Sequence, residues 1–164
     1  MKIAVCPGSY DPITLGHMDI IRRAAGLFDR VLVCILANGE KSRGMFAPQE
    51  RLRLASRAVA ELDNVTAELY GGLLADYAAH RGACALVKGV RSGTDLDWEM
   101  QMAPVNQALC PGLETILLPA SPELSWLSST VAREMIRYRQ PLEKYLPSAV
   151  VEALREKETQ DGQQ

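Results

Sequence analysis

Short apolar runs alternate with helix-periodic segments along almost the whole chain of 164 residues. Residues 3–6 and 31–37 are continuous apolar runs, ended by a Pro-Gly and an Asn-Gly pair, which is typical of strands buried on both faces. Residues 17–28, between them, repeat apolar side chains at helical spacing. The first unit is therefore predicted to be β-α-β.

The same alternation continues towards the end of the chain. It predicts strands at residues 65–69, 85–90 and 115–118, and helices after Pro48, over 73–80, 94–109 and 129–138, and from Pro147. Strands joined through helices run parallel. The predicted architecture is one α/β domain over residues 1–155, built on a mainly parallel five-stranded sheet. Residues 156–164 have no apolar side chain and are expected to be a frayed polar tail.

Composition excludes several classes of function. The 18 Lys and Arg residues against 20 Asp and Glu, with 5% aromatic residues, disfavour a nucleic-acid or membrane partner. The four cysteines form no C-x-x-C pair, so they predict no zinc or redox site and are interpreted as small buried thiols in a reducing compartment. The first apolar run is too short for a signal peptide, and no run approaches a membrane span. We therefore expect a cytoplasmic protein.

In open parallel sheets, ligands bind outside the carboxyl ends of the strands. Residues 7–17 follow the first predicted strand and place Thr14 and His17 three positions apart, on one side of an opening helical turn. Amides at a helix start attract phosphate, and an imidazole there can donate to a phosphoryl oxygen. Taken alone, His17 is also compatible with a capping or core histidine. The segment lacks the Walker and G-x-G-x-x-G patterns, which argues against classical kinases, GTPases and dehydrogenases.

Four segments carry a family resemblance. Residues 7–17, which end in Thr14-Leu15-Gly16-His17, resemble the H/T-x-G-H signature of the nucleotidylyltransferase superfamily. Residues 126–134 are similar to its Ser/Thr-rich element, although alone they could be an ordinary helix cap. Residues 88–101 and 38–51 resemble two stretches of one branch, the phosphopantetheine adenylyltransferase family. The four matches occur in family order and cover about residues 1–155.

This resemblance implies a Rossmann-like, doubly wound domain with helices on both faces of the sheet, assembled as a homohexamer. It implies transfer of the adenylyl group of ATP to 4'-phosphopantetheine, which gives dephospho-coenzyme A and pyrophosphate. Mg²⁺ would be carried with the ATP phosphates, with no metal site of the chain's own, and coenzyme A is a candidate feedback ligand. The alternatives are transfer to nicotinamide mononucleotide, flavin mononucleotide or glycerol 3-phosphate, and a noncatalytic nucleotide-binding module.

The resemblance also implies roles for individual residues. The catalytic residues would be His17, Lys41 and Arg91. The ATP-binding residues would be Ser9, Tyr10, His17, Gly89, Val90, Arg91, Glu99, Leu124, Ser125, Trp126, Leu127, Ser128, Ser129 and Thr130. The acceptor would be bound by Ser9, Lys41, Leu74 and Lys88. On charge alone, Glu99 would be read as part of a solvated helix face.

The chain departs from the family pattern in three places. Ser9 stands where Thr is common, and Lys88 stands where Arg is frequent, which exchanges a bidentate fork for a point charge. One extra residue separates Lys41 from Phe46. Arg43 is therefore an alternative source of positive charge in this loop.

Overall fold

The computed structural model describes residues 1–37 and 44–161. Its strands are β1 (Ile3–Gly8), β2 (Arg30–Leu36), β3 (Val65–Tyr70), β4 (Ala85–Val90) and β5 (Glu114–Pro119). Its helices are α1 (Leu15–Ala25), α2 (Pro48–Val59), α3 (Leu74–His80), α4 (Gly93–Leu109), α5 (Ser129–Arg137) and α6 (Ser148–Asp161). A 3₁₀ turn, Pro122–Leu124, lies between β5 and α5.

The five strands form one parallel sheet in the order β3-β2-β1-β4-β5, which confirms the predicted α/β architecture. The chain leaves β1 towards β2 on one side, whereas β4 and β5 extend the sheet on the other side. The strand order therefore reverses between β1 and β4. A crevice opens at the carboxyl ends of two such strands, because their connections diverge to opposite faces.

Alternate residues of the inner strands face two separate apolar cores. On β2, Val31, Val33 and Ile35 pack into the core shared with α1, α2 and α6. Leu32 and Cys34 face the other core, which includes Tyr77 and Ala78 of α3. Helices therefore cover both faces of the sheet, as the doubly wound prediction requires.

Three helices that follow strands begin with side-chain caps. The hydroxyl oxygens of Thr14, Ser92 and Ser128 accept amide hydrogen bonds from the first turns of α1, α4 and α5. Such caps satisfy amides that have no partner inside the helix. In a parallel sheet, these helix starts lie at the edge where the strands end, so three capped N-termini lie beside the crevice.

Some helices begin or end at other residues than predicted. Helix α1 begins at Leu15 because Thr14 caps it, two residues before the predicted start, and α6 continues past Leu154 to Asp161. The domain limit at residue 155 and the frayed tail stay predictions. None of the helices described within residues 1–37 and 44–161 is long and apolar enough to cross a membrane.

The burial prediction for the cysteines is only partly right. All four are free thiols, and Cys6 and Cys34 are buried in the sheet. Cys84 is exposed, because it precedes β4 at the uncovered amino edge of the sheet, and Cys110 is half-buried. Burial raises the pKa of the Cys6 and Cys34 thiols to about 12, so both are inert near neutral pH.

Candidate active site

A cavity of about 670 Å³ lies at the carboxyl ends of β1 and β4. The start of α1, the start of α4, the 3₁₀ turn and the start of α5 surround it. The predicted site residues that line it are Ser9, Tyr10, His17, Lys88, Gly89, Arg91, Glu99, Leu124, Leu127, Ser128, Ser129 and Thr130. Residues up to 121 positions apart in sequence thus meet in one crevice, as the strand-end rule predicts.

Other predicted residues lie elsewhere. Val90, Ser125 and Trp126 adjoin the cavity but do not line it in the described part of the chain. The Trp126 indole donates to the Glu123 carbonyl at 2.7 Å and packs edge-on against Tyr145. Leu74 packs against the apolar core on the α3 side. Lys41 and its alternative, Arg43, fall outside the described residues.

His17 occupies the first turn of α1 and closes a reciprocal cap with Thr14. Its amide donates to Thr14 Oγ1 at 3.3 Å, and the Thr14 amide donates to His17 Nδ1 at 3.0 Å. Because Nδ1 accepts, the neutral ring carries its proton on Nε2. The structure confirms the capping interpretation of His17, and the same ring also lines the cavity.

The environment keeps this imidazole neutral. Burial, with a smaller contribution from the Arg91 guanidinium, lowers the pKa of His17 to about 4. The Tyr10 ring packs edge-on against the imidazole, with ring centroids 4.9 Å apart. Near neutral pH, His17 can therefore act as a hydrogen-bond donor through Nε2 and not as a cation.

The Tyr10 side chain forms one wall of the site. Its hydroxyl already has a hydrogen-bond partner within the protein. The hydroxyl donates to the Cys6 carbonyl at 2.9 Å, and burial raises the pKa of the phenol well above 10. A Cβ on Gly8 would lie 3.0 Å from the Tyr10 ring, so glycine at this position makes room for it. A ligand can therefore meet the Tyr10 backbone and ring but not a free phenol group.

Arg91 reaches over the cavity from the end of β4. Its Nη1 donates to the Leu127 carbonyl at 3.1 Å, and its Nε lies 3.4 Å from Asp95 Oδ2. The same carboxylate accepts the Arg91 amide at 3.1 Å. Asp95 at the start of α4 thus holds both the backbone and the side chain of Arg91.

Lys88 and Glu99 form an ion pair inside the cavity. The Lys88 ammonium donates to Glu99 Oε1 at 2.8 Å, and both side chains are mostly buried. The two residues were predicted to bind different substrates, the acceptor phosphate and ATP. In this arrangement each is the other's counterion, so an anion that binds Lys88 has to compete with Glu99.

The start of α5 presents amides more than hydroxyls. Ser128 Oγ accepts the Val131 amide at 3.1 Å, Ser129 Oγ donates to the Pro12 carbonyl at 2.9 Å, and Thr130 Oγ1 accepts from Arg133. The three hydroxyls thus shape the turn and join it to the loop after β1. The positive end of the helix dipole remains directed at the cavity.

A polar clamp fixes the turn that carries Leu124 and Leu127. Asp19 Oδ2 on α1 accepts from Ser121 Oγ at 2.9 Å and from Arg23 at 3.2 Å. Arg23 also donates to the Pro119 carbonyl at 2.7 Å. The start of α1 and the segment after β5 are therefore tied together at one side of the cavity.

Sequence reasoning missed a group of residues around Asp11. The Asp11 carboxylate and the Arg51 side chain are buried together, and Arg133 lines the cavity beside them. Asp11, Arg51 and Arg133 all lie within the quoted motifs, but their spacing in sequence gives no sign that they meet. A cluster of charged residues from three distant segments is visible only once the sheet is assembled.

The described residues contain no group of three or more His, Cys, Asp or Glu side chains that could hold a metal ion. The cationic side chains Arg91, Lys88 and Arg133 line the cavity together with the neutral His17. With three capped helix starts around them, these groups can stabilise a polyanion such as a nucleotide phosphate chain.

Sequence comparison agrees with this geometry. The family model described as Cytidylyltransferase-like matches residues 5–135. A phosphopantetheine adenylyltransferase of Chloroflexus aggregans is 46% identical over 99% of this chain and 100% of its own length. Enzymes of the same name from Corynebacterium efficiens and Streptomyces coelicolor are 45% and 44% identical, each over 96% of this chain and 98% of theirs. The chain belongs to the phosphopantetheine adenylyltransferase family.

A solved structure matches the fold of this adenylyltransferase family member. A bifunctional nicotinamide mononucleotide (NMN) adenylyltransferase/ADP ribose pyrophosphatase of Francisella tularensis, in complex with AMP and a manganese ion, matches with a TM-score of 0.66. The match covers 90% of this chain but 44% of that chain, at 17% identity. It shows a shared α/β fold.

Proposed function

We propose that this protein transfers the adenylyl group of ATP to 4'-phosphopantetheine, giving dephospho-coenzyme A and pyrophosphate. Family membership over the full chain supports the reaction and the acceptor. The observation that carries the mechanism is the neutral His17, held by Thr14 with its Nε2 proton available in the cavity.

The reaction needs alignment and charge stabilisation more than proton transfer. A phosphate oxygen of the acceptor forms a bond to the α-phosphorus of ATP, while the bond from that phosphorus to the bridging oxygen breaks and pyrophosphate leaves. The nucleophile is already an anion near neutral pH, so no general base is required. The protein has to hold two polyanions in line and stabilise the crowded transition state.

In this proposal, three residues stabilise the transition state. The Nε2 proton of His17 is donated in a hydrogen bond to an α-phosphoryl oxygen as charge develops there. Arg91, held by Asp95, and Lys41 supply positive charge from two other loops. A neutral donor suits the histidine position, because the neighbouring Arg91 already supplies a full charge.

The two substrates would lie next to each other in the cavity. The acceptor phosphate would bind Ser9 and Lys88, with Lys41 nearby and Leu74 along the pantetheine arm. ATP would contact the backbone of Gly89–Arg91, the side chain of Glu99 and residues 124–130. Amides of α5 and the loop after β1 would bind its phosphates.

Mg²⁺ fits this site as a companion of ATP. The ion prefers oxygen ligands and retains several waters, so phosphate oxygens can hold it without a carboxylate cage. The residues that would hold the Mg²⁺–ATP complex are those that bind the phosphates, above all Arg91 and the start of α5. When bound, the metal neutralises phosphate charge.

A direct test measures pyrophosphate release from ATP and Mg²⁺ with each acceptor in turn. We expect release with 4'-phosphopantetheine and none with nicotinamide mononucleotide, flavin mononucleotide or glycerol 3-phosphate, the last also tried with CTP. His80→Ala, which changes the exposed histidine at the end of α3, is the matched control and should retain full activity. ATP binding without pyrophosphate release for any acceptor would contradict the proposal and favour a noncatalytic nucleotide-binding module.

We further propose assembly as a homohexamer, with coenzyme A as a feedback ligand and a cytoplasmic location. Helix α4 supports the assembly, because it exposes Leu96, Trp98, Met100, Val105 and Leu109.

Coenzyme A shares the pantetheine arm with the acceptor, so it should compete with 4'-phosphopantetheine; lack of competition would remove this part of the proposal. Four free thiols suit a reducing compartment.

A further inference from the structure

The Asp11 carboxylate is buried, yet both of its oxygens accept backbone hydrogen bonds. Oδ1 accepts the Phe46 amide and Oδ2 accepts the Met45 amide, each at 2.9 Å, and the residue is 6% exposed. These amides belong to the segment that follows residues 38–43 in the chain. Asp11 therefore fixes the start of residues 44–46 against the loop after β1.

Arg51 completes this contact from the opposite side. Its Nε donates to the Phe46 carbonyl at 2.7 Å and lies 3.4 Å from Asp11 Oδ1, and the residue is 3% exposed. Its Nη1 donates to the Ser9 carbonyl at 3.4 Å. A Cβ at Gly44 would overlap the Arg51 guanidinium and the Asp11 carboxylate, so the backbone passes directly over the ion pair.

A third segment joins through Arg133 on α5. Its Nη1 donates to the Asp11 carbonyl at 2.7 Å and lies 3.8 Å from Asp11 Oδ2. Its Nη2 donates to Thr130 Oγ1 at 3.0 Å. Asp11 thus contacts, through both its carboxylate and its backbone, the helix start that lines the cavity.

We propose that Asp11 and Arg51 are positioning residues that hold two segments of the cavity in one arrangement and anchor them to residues 44–46. The two segments are the Ser9 loop, whose carbonyl accepts from Arg51, and the start of α5, which Arg133 joins to Asp11. This inference rests on the proposed adenylyl transfer, in which these segments act on different phosphates. In-line attack requires that the segments keep a fixed relative position, and an error of about 1 Å can reduce turnover about 100-fold.

The composition of the cluster favours positioning over simple stabilisation. A buried ion pair is weak evidence for stability, because well-packed apolar residues of similar volume often stabilise a protein as well or better. The hydrogen bonds of this pair go to the backbone of Met45, Phe46 and Ser9, and Ser9 lines the cavity. Asp11 and Arg51 therefore determine where those segments lie.

The test uses the full-length protein and steady-state kinetics for both substrates. Asp11→Asn places an amide NH₂ against a backbone amide, so we expect kcat to fall about 10- to 100-fold while both KM values change less than about fivefold. Arg51→Lys keeps the charge but loses the guanidinium group that donates to two carbonyls, and should lower kcat less than Asp11→Asn does. In the double variant Asp11→Asn/Arg51→Met, no unpaired buried charge remains, so Tm should recover while kcat stays low.

Leu113→Ala is the matched control. Leu113 is buried in the core on the α3 side, away from the cavity, so this variant should lower Tm without changing kcat of the folded protein. Wild-type kcat in folded Asp11→Asn would overturn the inference, and so would an equal fall in kcat in Leu113→Ala at matched Tm. So would recovery of kcat together with Tm in the double variant.

Hydrogen exchange gives a readout that does not depend on the reaction. In Asp11→Ala, the amides of Met45 and Phe46 should exchange at least about tenfold faster, while amides of β4 keep their wild-type rates. Unchanged exchange at residues 45 and 46 would contradict the proposed anchoring. Absence of adenylyl transfer in the wild type, with faster exchange in the variant, would instead count against the proposed function alone.

Discussion

At the scale of single residues, His17 combines a structural and a chemical task. Nδ1 accepts the Thr14 amide in the cap of α1, so the ring orientation and the tautomer are set by the helix start itself. The lowered pKa then keeps Nε2–H as a neutral donor in the cavity. The two tasks can be tested separately, through the effect of His17 on turnover and through its effect on the pH dependence of stability.

His17→Ala should lower kcat about 100- to 1000-fold and leave ATP binding within about tenfold of the wild type. The reason is that the lost donor acts mainly on charge that develops in the transition state. Single-turnover rates and calorimetric ATP binding measure the two effects. Unchanged turnover with a large loss of ATP affinity would refute this role.

The titration of His17 should appear in the stability of the protein. The folded-state pKa of about 4 lies below the unfolded value of 6.5, so the unfolded chain takes up the proton first. The stability that the folded protein gains from a neutral His17 is present above pH 6.5 and is lost as the pH falls towards 4. Between pH 7 and pH 5, proton uptake by the unfolded chain should lower the free energy of unfolding by about 2 kcal/mol.

Urea unfolding at pH 7 and pH 5 measures this loss. His17→Asn keeps an acceptor for the Thr14 amide but does not titrate, so this variant should lose less free energy of unfolding over the same interval. An identical loss in wild type and variant would show that other groups account for the pH dependence.

The pair of Lys88 and Glu99 should divide its effects between the substrates. Lys88→Ala should raise the KM for 4'-phosphopantetheine about tenfold or more, because a charge-assisted hydrogen bond to phosphate is lost. Glu99→Gln removes the counterion that competes for Lys88, so it should lower that KM while raising the KM for ATP. An unchanged acceptor KM in Lys88→Ala would exclude the phosphate-binding role.

At the scale of secondary-structure elements, the clamp between α1 and the segment after β5 sets one wall of the site. Asp19→Ala should release residues 120–124 and raise the KM for ATP about five- to tenfold, with kcat nearly unchanged, because binding then has to order this segment. The steady-state KM for ATP measures the effect. Glu61→Ala is the control. It breaks a surface ion pair with Arg22, which lies on α1 like Asp19, and should leave the KM for ATP unchanged.

The strands and most helix limits could be predicted from sequence, because burial on two faces leaves continuous apolar runs and capping residues mark helix starts. The crevice could also be predicted, since carboxyl ends of parallel strands share one edge. The contact of Asp11 with residues 45 and 46 could not, because it joins residues 34 and 35 positions apart through a buried charge. The Lys88–Glu99 pair could not be predicted either, because the two residues of one motif were assigned to different substrates.

At the scale of the whole molecule, α4 is the element that its own chain covers least. Its exposed apolar residues lie on opposite sides of the helix, with Leu96 and Met100 on one side and Val105 and Leu109 on the other. Among the described residues of this helix, only Asn106 is buried. Both sides are exposed in this chain, so either is free for a second copy.

Met100→Glu and Val105→Glu should therefore weaken the assembly. A charge at a subunit contact costs desolvation that no partner offsets. Sedimentation velocity should find a hexamer for the wild type and smaller species for at least one variant. Leu27→Glu places the same charge on an exposed leucine after α1 and should leave the hexamer intact; dissociation of this control, or hexamers in all variants, would contradict the assignment to α4.

Helix α6 has a consequence for synthesis on the ribosome. Val150, Val151 and Leu154 belong to the same core as Leu54 and Ala55 of α2, and Lys157 reaches Glu50 at 2.8 Å. Because Lys157 follows Glu50 by 107 positions, a nascent chain carries an uncovered apolar strip on α2 until α6 has left the exit tunnel. Emergence of α6 from the exit tunnel is then the event that lets this face close, and until then the strip is a natural binding site for chaperones.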